Sequence, residues 1–339
     1  MSNDASPRPQ KCARLSSNDL VPHASSDPVS QTMSNLTRHS EFWFDDGNIV
    51  LVAQHTGFRI YRRLLAAQST VFADMFTSSS AGADEAFDGC PVVHLTDSHH
   101  DLTHLLRVLL PTSPGIRYHT TDPERVRSFD ETSSVVRLAH KYHIQSVQDQ
   151  AMRALQEFFT TDFIAPYTLQ RRPQWISVTR IQCIGAVNLA RLTDTPLLLP
   201  AALYTCCFLR GELLDGWTRE DGTVEHLCME DLKRCLNASI ELGRQECFVV
   251  SRLFCPVPLQ RCHDPNFGSC ADCLGNVARS TMCMDIIVRW GRSGTGCKAV
   301  LLERTQAERR RIWDGLPQIL GITVEGWAKP NAEGAANAA

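Results

Sequence analysis

"FRIYRRLLAAQSTVFADMF", residues 58–76, is the stretch that decides how this chain folds. It begins with the aromatic and β-branched residues of a strand end and continues into good helix formers without an intervening Gly or Pro. Ser69 is a typical helix N-cap. Phe72, Met75 and Phe76 then follow at the spacing of a single helix face. The stretch therefore predicts a strand that runs directly into two short helices.

Two further strands are expected beside this stretch. "NIVLVA" (48–53) is apolar and β-branched, and turn residues flank it, so it forms a hairpin with "FRI". "CPVVHL" (90–95) has the composition of a third strand. Three strands cannot bury their own faces, so helices must cover the sheet. The predicted fold class is α+β.

Apolar residues at helical spacing predict three more helices after the third strand. Their inward residues are, in chain order, Leu102, Leu105, Leu106 and Leu109; Val135, Leu138, Ala139 and Tyr142; and Val147, Ala151, Ala154, Leu155 and Phe158. We expect Asp97 or Ser98 to cap the first of these helices and Ser146 to cap the last. In the short helix after the second strand, Leu64 and Leu65 should point inward.

This order of elements resembles the BTB/POZ domain. In that family the deciding segment reads approximately Phe-x-x-His-x-x-x-Leu-Ala-x-x-Ser-x-x-Phe-x-x-Met-Phe. The matching positions here are Phe58, Leu65, Ala66, Ser69, Phe72, Met75 and Phe76. The similarity is closest to the divergent BTB proteins of fungi, the basidiomycete type. It implies a BTB/POZ fold over residues 41–160 and a non-enzymatic role in protein–protein interaction.

Two positions depart from the family pattern. Tyr61 stands where BTB domains usually have His, and Asn48 stands where the first strand often carries a buried Asp. In transcriptional BTB domains that Asp and a basic residue near Arg62 line a charged pocket. Without the carboxylate, a corepressor pocket is disfavoured. Residues 1–40 also lack the amphipathic helix that many BTB domains exchange between subunits, and their polar composition favours disorder.

Residues 170–325 are expected to form an all-α extension. Its segments include "ISVTRIQCIGAVNLARL", "PLLLPAALYTCCFL" and "MEDLKRCLNASIELGRQE", in which Leu232, Cys235, Leu236 and Ile240 should point inward. "GWTREDGT" (216–223) is expected to be a polar loop between helices. Near the C-terminus, a docking face is expected at Ile312, Trp313, Leu316, Ile319 and Leu320. Residues 328–339 should be a disordered tail.

Composition narrows the range of partners. The chain has 339 residues and a formal net charge of −3, which gives no reason to expect nucleic acid or an anionic membrane as partner. Its longest apolar run is shorter than the ~20 residues that a membrane span needs. No signal-peptide pattern is visible at the N-terminus. We expect an intracellular protein, cytoplasmic or nuclear, with no small-molecule substrate.

Cysteine usage raises the possibility of a metal site. The chain has 14 cysteines, and half of them lie within residues 247–297. Cys270 and Cys273 form a C-x-x-C pair, a spacing that suits tetrahedral zinc. The residues available to complete a site are Cys255, Cys262, His263 and Cys283, and the candidate ligand set is Cys262, Cys270, Cys273 and Cys283. Cysteine also behaves as a small apolar residue. We therefore expect no cofactor, with zinc as the alternative.

Three functions stay open from the sequence. The resemblance favours an adaptor that binds a cullin scaffold for ubiquitylation, although Ala83-Asp84-Glu85 is a poor version of the hydrophobic-x-Glu motif of such adaptors. A self-associating, transcription-linked scaffold is the second. An enzyme is the third, and it is disfavoured because no acid/base or nucleophile set is present. The candidate interaction residues are Met75, Phe76, Glu85, Phe87 and Leu102; Phe87 either anchors a partner or folds back on the sheet edge.

Overall fold

The computed structural model of this protein describes residues 36–80, 86–110, 126–163, 176–254 and 295–327. The described residues from 36 to 163 form an N-terminal unit. Its elements are β1 (Thr37–Trp43), β2 (Ile49–Ala53), β3 (Thr56–Ile60), α1 (Arg62–Ala66), α2 (Thr70–Ser80), β4 (Ala86–Phe87), β5 (Cys90–Leu95), α3 (His99–Leu109), β6 (Arg127–Ser128), α4 (Phe129–Lys141) and α5 (Gln145–Phe158).

The described residues from 176 to 327 form a helical region. Its elements are β7 (Ile176–Ser177), α6 (Cys183–Leu192), a 3-10 turn (Pro196–Leu198), α7 (Leu199–Cys206), α8 (Glu212–Asp215), β8 (Trp217–Thr218), β9 (Val224–Glu225), α9 (Met229–Phe254), α10 (Thr295–Asp314) and α11 (Leu316–Leu320). The α+β class with a helical C-terminal region is therefore confirmed.

A five-stranded sheet with the order β1-β3-β2-β5-β4 organises the N-terminal unit. The hairpin expected from the sequence is present, since β2 and β3 pair antiparallel with Ile49 opposite Ile60. Strand β5 pairs parallel to β2. Successive side chains of a strand point to opposite faces. Leu51 accordingly joins the large core beneath the helices, whereas Val50 joins a small cluster on the other face with Trp43 packed against it.

The passage from strand to helix is held by side-chain caps. The Asn48 side chain accepts a hydrogen bond from the Arg62 backbone N–H at 2.8 Å, at the first residue of α1. Ser69 caps α2 as expected, because its hydroxyl oxygen accepts from the Phe72 N–H at 3.0 Å. The same hydroxyl donates to the Tyr142 carbonyl at 2.6 Å and so ties α2 to the end of α4. These caps let the chain change direction without a Gly or Pro.

Three sequence expectations in this unit are wrong at the level of single residues. Leu65 is buried, but Leu64 is 37% exposed, because neighbouring residues of a helix point 100° apart and α1 has only one covered side. Ser146 does not cap α5, which begins at Gln145. Phe158, the last residue of α5, is also exposed, and Phe159, which follows the helix, packs inward instead.

Strands β1 and β4 were not expected from the sequence. β1 begins at Thr37, within residues 1–40 for which disorder was expected. Its sequence "TRHSEFW" is largely polar because it lies at the edge of the sheet and pairs with β3 on one side only. An edge strand with mixed exposure carries no clear apolar alternation, so periodicity does not reveal it.

The helical region departs from its expected pattern in two places. Ile176 and Ser177 pair parallel with Arg127 and Ser128 as β6 and β7, so the helix expected over "ISVTRIQCIGAVNLARL" begins only at Cys183. On α9, Cys235, Ala238 and Leu242 face the core. Leu236 and Ile240 were expected inward, but they are 48% and 67% exposed. The expected stripe was displaced around the helix, because Ala238 is small and gives a weak apolar signal.

The two parts share one continuous apolar core. The expected C-terminal docking face is confirmed, since Leu316 and Leu320 are fully buried and Ile312, Trp313 and Ile319 pack against that core. The Trp313 indole N–H donates to the Thr161 carbonyl of the N-terminal unit at 2.9 Å. In the described ranges, no helix is long and apolar enough to cross a membrane.

Candidate protein-interaction surface

The candidate surface of the N-terminal unit, here called the platform, consists of α2, the β4–β5 hairpin and α3. Its outer side on α2 carries Asp74, Thr77 and Ser78, which are exposed. Met75 is half-buried and packs against the core. The platform therefore presents a short polar helix face with an apolar margin.

Two of the expected interaction residues are not available on this surface. Phe76 and Leu102 are 1% and 0% exposed. Each lies on the inward face of its helix, where it stabilises the core and is not free to contact a partner. The structure therefore corrects the prediction that these two residues contact a partner. Glu85 lies outside the described residues.

Phe87 lies on the edge of the sheet. As part of β4 it pairs with Cys90 across a tight turn, and its side chain is half-buried. Its ring meets the Trp43 ring edge-on with centroids 5.9 Å apart. The Arg38 guanidinium lies 4.8 Å from the Trp43 ring centroid and 5.8 Å from that of Phe87, and it forms an ion pair with Asp88 at 2.7 Å. Phe87 thus covers the sheet edge and keeps part of its ring at the surface.

At the position of the charged pocket of transcriptional BTB domains, the side chains of Asn48 and Arg62 form hydrogen bonds with the backbone. The Asn48 side-chain oxygen is taken up by the Arg62 backbone N–H. The Arg62 guanidinium donates to the Phe76 carbonyl at 2.8 Å, inside α2. The Tyr61 hydroxyl donates to Asp46 at 2.6 Å, and this bond raises the pKa of Tyr61. These groups brace the joint between strand and helices.

A second site, the clamp hairpin (residues 217–225, strands β8 and β9), connects the helical region to helices α3 and α4 of the N-terminal unit. The expected polar loop "GWTREDGT" forms most of it. Gly222 has a φ of +81°, in the left-handed region that Gly adopts at low cost. Asp221 accepts from both the N–H and the hydroxyl of Thr223, at 2.9 and 2.6 Å. The turn is therefore fixed before it meets its neighbours.

Arg219 is the central cation of the clamp hairpin. Its guanidinium donates to Asp101 of α3 at 2.6 Å, and both side chains are about nine-tenths buried. Asp221 and Glu225 each lie 3.4 Å from it. Burial acts to lower the pKa of Arg219, but the hydrogen bond with Asp101 and the three carboxylate charges outweigh it and raise that pKa. The cation is therefore permanent.

Helix α4 supplies a second set of contacts to the clamp hairpin. Arg137 donates to Glu225 at 2.6 Å, and burial lowers the pKa of Arg137 against the pull of that carboxylate. The Glu220 backbone N–H donates to Asp130 at 3.2 Å. Burial also raises the pKa of Asp130. Charges of both parts of the molecule are thus removed from water together, which requires that they stay paired.

Trp217 adds an apolar contact to these ion pairs. It is buried, and its ring meets the ring of Phe129 of α4 with centroids 5.2 Å apart. Gly185 of α6 lies against the same pair of rings, and a Cβ added there would stand 2.4 Å from the indole and 2.8 Å from the Phe129 ring. The indole is therefore wedged between the N-terminal unit and the helical region, and only Gly leaves room for it.

Sequence reasoning missed the clamp hairpin, although a signal was present. Asp221-Gly222 is a strong turn dipeptide, and Trp217, Thr218, Thr223 and Val224 around it favour strands. The partners of Arg219 and Arg137 lie 118 and 88 residues away, so no local pattern identifies them.

The predicted metal ligands Cys262, Cys270, Cys273 and Cys283, and the further candidates Cys255 and His263, lie outside the described residues. Within the described ranges, no group of three or more His, Cys, Asp or Glu side chains is arranged to hold a metal ion. The zinc alternative therefore stays a prediction.

Comparison with known proteins identifies one domain. Residues 35–158 match the family model of the BTB/POZ domain, so the chain contains a BTB/POZ domain over that range. The match includes β1 and ends at the last residue of α5. No curated protein matches the chain. BTB/POZ domains are protein-interaction modules, and the N-terminal unit is therefore such a module.

Proposed function

We propose that this protein is an adaptor: the platform of its BTB/POZ domain binds a cullin-type scaffold, and the helical region holds a second protein. The observation that supports this role is the buried clamp around Arg219. An adaptor must hold two binding surfaces in a fixed relation. A buried charge network restricts relative motion, because each displaced group leaves a partner unpaired and out of water.

The platform has the features that suit such a contact. Its exposed side is short and helical, Met75 lies half-buried at its margin, and Phe87 keeps part of its ring at the surface. Interfaces of this kind depend on a few large anchors surrounded by near-neutral contacts. Membership among the fungal BTB proteins and an intracellular place of action belong to the same proposal and rest on the sequence resemblance.

The test is affinity purification of the full chain from its native host, followed by mass spectrometry. The platform variants Asp74→Arg and Thr77→Arg change exposed residues of α2, so they should keep the fold and lose a scaffold partner. Glu157→Arg, an exposed position on α5, is the matched control and should retain it. Recovery of a cullin with the unaltered chain and with the control only is the expected result. Recovery of no cullin from any sample contradicts the adaptor role.

Self-association is a second candidate, and β1 favours it. This strand has seven residues and lies at an edge of the sheet, so one side of its backbone has no strand partner among the described residues. Such an edge is a template for pairing with another chain. Light scattering coupled to size-exclusion chromatography measures the molar mass directly; a mass of two copies supports the scaffold role, and the mass of a single copy contradicts it.

Zinc binding by Cys262, Cys270, Cys273 and Cys283 is the remaining alternative, and we expect no stoichiometric metal. Elemental analysis of purified protein tests this expectation. About one zinc per chain that Cys270→Ser or Cys273→Ser removes would contradict it, in line with the usual stoichiometry of a four-ligand site.

A further inference from the structure

Three cysteines of the helical region bring their thiols together. Cys206 and Cys207 end α7, and Cys235 lies on α9, which packs across them. All three are buried free thiols, and Cys206 and Cys207 lie near enough to Cys235 for the three to influence one another's pKa. The Leu203 carbonyl accepts from the Cys207 N–H at 3.0 Å and lies 3.9 Å from the Cys235 sulfur. Cys235 is thus placed against the same helical turn that carries Cys207.

An open cavity reaches two of these three thiols. It has a volume of about 330 Å³, and its walls include Cys207 and Cys235 together with apolar residues such as Tyr204 and Trp313. A single water molecule needs only ~10–15 Å³ of such space, so a small uncharged oxidant can enter. Cys206 does not line the cavity.

The neighbouring thiols make the three cysteines chemically unequal. The thiols of Cys206 and Cys207 lower the pKa of Cys235 despite its burial. The Cys235 thiol and burial raise the pKa of Cys207. A thiol with a lowered pKa beside a second thiol is the arrangement of a redox-active pair, in which the thiolate reacts first and the neighbour resolves the product.

We propose that Cys235 and Cys207 are an oxidation site, which forms an internal disulfide when hydrogen peroxide enters the cavity. The Cys235 thiolate attacks one peroxide oxygen, the O–O bond breaks, and the leaving hydroxide takes a proton to become water. The Cys207 sulfur then attacks the resulting sulfenic acid, the S–O bond breaks, and a second water leaves with the Cys207 proton. Two electrons pass from the cysteine pair to hydrogen peroxide, which supplies both oxygen atoms of the two waters.

The bond would join the end of α7 to α9 and close the chain between residues 207 and 235 into a loop. A disulfide across a loop of this length stabilises mainly by restricting the unfolded chain. Oxidation would therefore raise the midpoint of thermal unfolding of the helical region and narrow the cavity. This inference is independent of the proposed adaptor role.

Peptide mapping of the full-length protein tests the site. Purified reduced protein is treated with hydrogen peroxide, free thiols are alkylated, and the protein is digested with trypsin without reduction. The expected product joins "LTDTPLLLPAALYTCCFLR" (192–210) to "CLNASIELGR" (235–244), and dithiothreitol separates the two. The exposed cysteines Cys228 and Cys247 serve as internal comparators for random oxidation.

Single variants identify the resolving thiol. Cys206→Ala should keep the linked peptide, whereas Cys207→Ala and Cys235→Ala should lose it. Absence of the linked peptide in the unaltered protein, while Cys228 and Cys247 are oxidised, would overturn the proposal, and that measurement needs no variant to fold. A linked peptide that persists in Cys207→Ala and vanishes in Cys206→Ala would also overturn it.

Discussion

The core beneath the sheet and the clamp between the two parts are stabilised in opposite ways. The core around Phe72 is apolar and aromatic: Phe72 is fully buried and stacks on Tyr142 with ring centroids 4.2 Å apart. The clamp around Arg219 is ionic, and its carboxylate partners come from both parts of the molecule. Apolar packing tolerates small shifts, whereas buried ions require a defined geometry. The core therefore makes the BTB/POZ unit stable, while the clamp fixes where the helical region lies.

The largest effect is expected in the core. Phe72→Ala removes a ring that contacts both Tyr142 and Phe76, and truncation of a buried Phe typically costs ~3–5 kcal/mol. We expect the midpoint of urea unfolding to fall sharply. Leu64→Ala, at an exposed position of α1, is the control and should change it little. An unchanged midpoint for Phe72→Ala would show that this aromatic core does not determine the stability of the N-terminal unit.

A somewhat smaller loss is expected in the clamp. Arg219→Met keeps much of the side-chain stem but leaves Asp101, Asp221 and Glu225 buried without their shared cation. Removing one partner of a buried pair costs about 3–5 kcal/mol, and we expect the lower end because Arg137 still pairs with Glu225. Arg244→Ala breaks an exposed ion pair with Glu241 and should cost about 0–1 kcal/mol. Equal losses of stability for the two variants in urea unfolding would show that the buried clamp contributes no more than an exposed ion pair.

Two glycines offer a matched test of the Trp217 wedge. Gly185→Ala would place a Cβ 2.4 Å from the indole, and overpacking of this kind costs about 1–3 kcal/mol. Gly243→Ala lies on α9 with no atom within 4 Å of the added Cβ. Ala favours a helix by about 1 kcal/mol over Gly, so this control should gain stability. We expect Gly185→Ala to lower the midpoint of thermal unfolding and Gly243→Ala to raise it. A gain from both variants would show that Trp217 is not tightly packed against Gly185.

A smaller change is expected at the sheet edge. Phe87→Ala removes the edge-on contact with Trp43, and an aromatic pair contributes about 0.5–1.5 kcal/mol beyond its area. The loss of stability should therefore be modest, and recovery of a platform partner should fall as well. Reduced stability with unchanged recovery of the partner would show that Phe87 only covers the edge of the sheet and does not bind a partner.

The smallest effect concerns pH and the edge strand β1. His39 Nδ1 accepts from the backbone N–H groups of Glu41 and Phe42, and burial lowers the pKa of His39 below 6.5. The folded state thus binds this proton less readily than the unfolded chain, so stability is lost as pH falls below about 6.5. His39→Asn keeps an acceptor but cannot titrate in this range, so the pH dependence of its thermal midpoint should be flatter. An unchanged slope would contradict this origin.

Features of the structure could be predicted from the sequence where they depend on residues close together in the chain. Ser69 as a cap, the β2–β3 hairpin and the helix faces of α3 and α4 depend on residues within a few positions of one another, and local patterns identified them. Arg219 and Asp101 are 118 residues apart, and nothing in "TREDG" indicates which carboxylate it meets. Phe76 and Leu102 illustrate a related limit. An apolar stripe on a helix does not by itself show whether the stripe faces the protein core or a partner.

The most direct test of the account is native-state hydrogen exchange, which compares the free energy of opening at β2 in the N-terminal unit with that at α6 in the helical region. If the clamp makes the two parts one cooperative unit, the slowest amides of β2 and α6 open with the same free energy in the unaltered protein. In Arg219→Met, protection at α6 should fall while protection at β2 stays. Weaker protection of α6 in the unaltered protein, or an equal loss at both elements in Arg219→Met, would contradict the claim that the clamp fixes the helical region to the BTB/POZ domain.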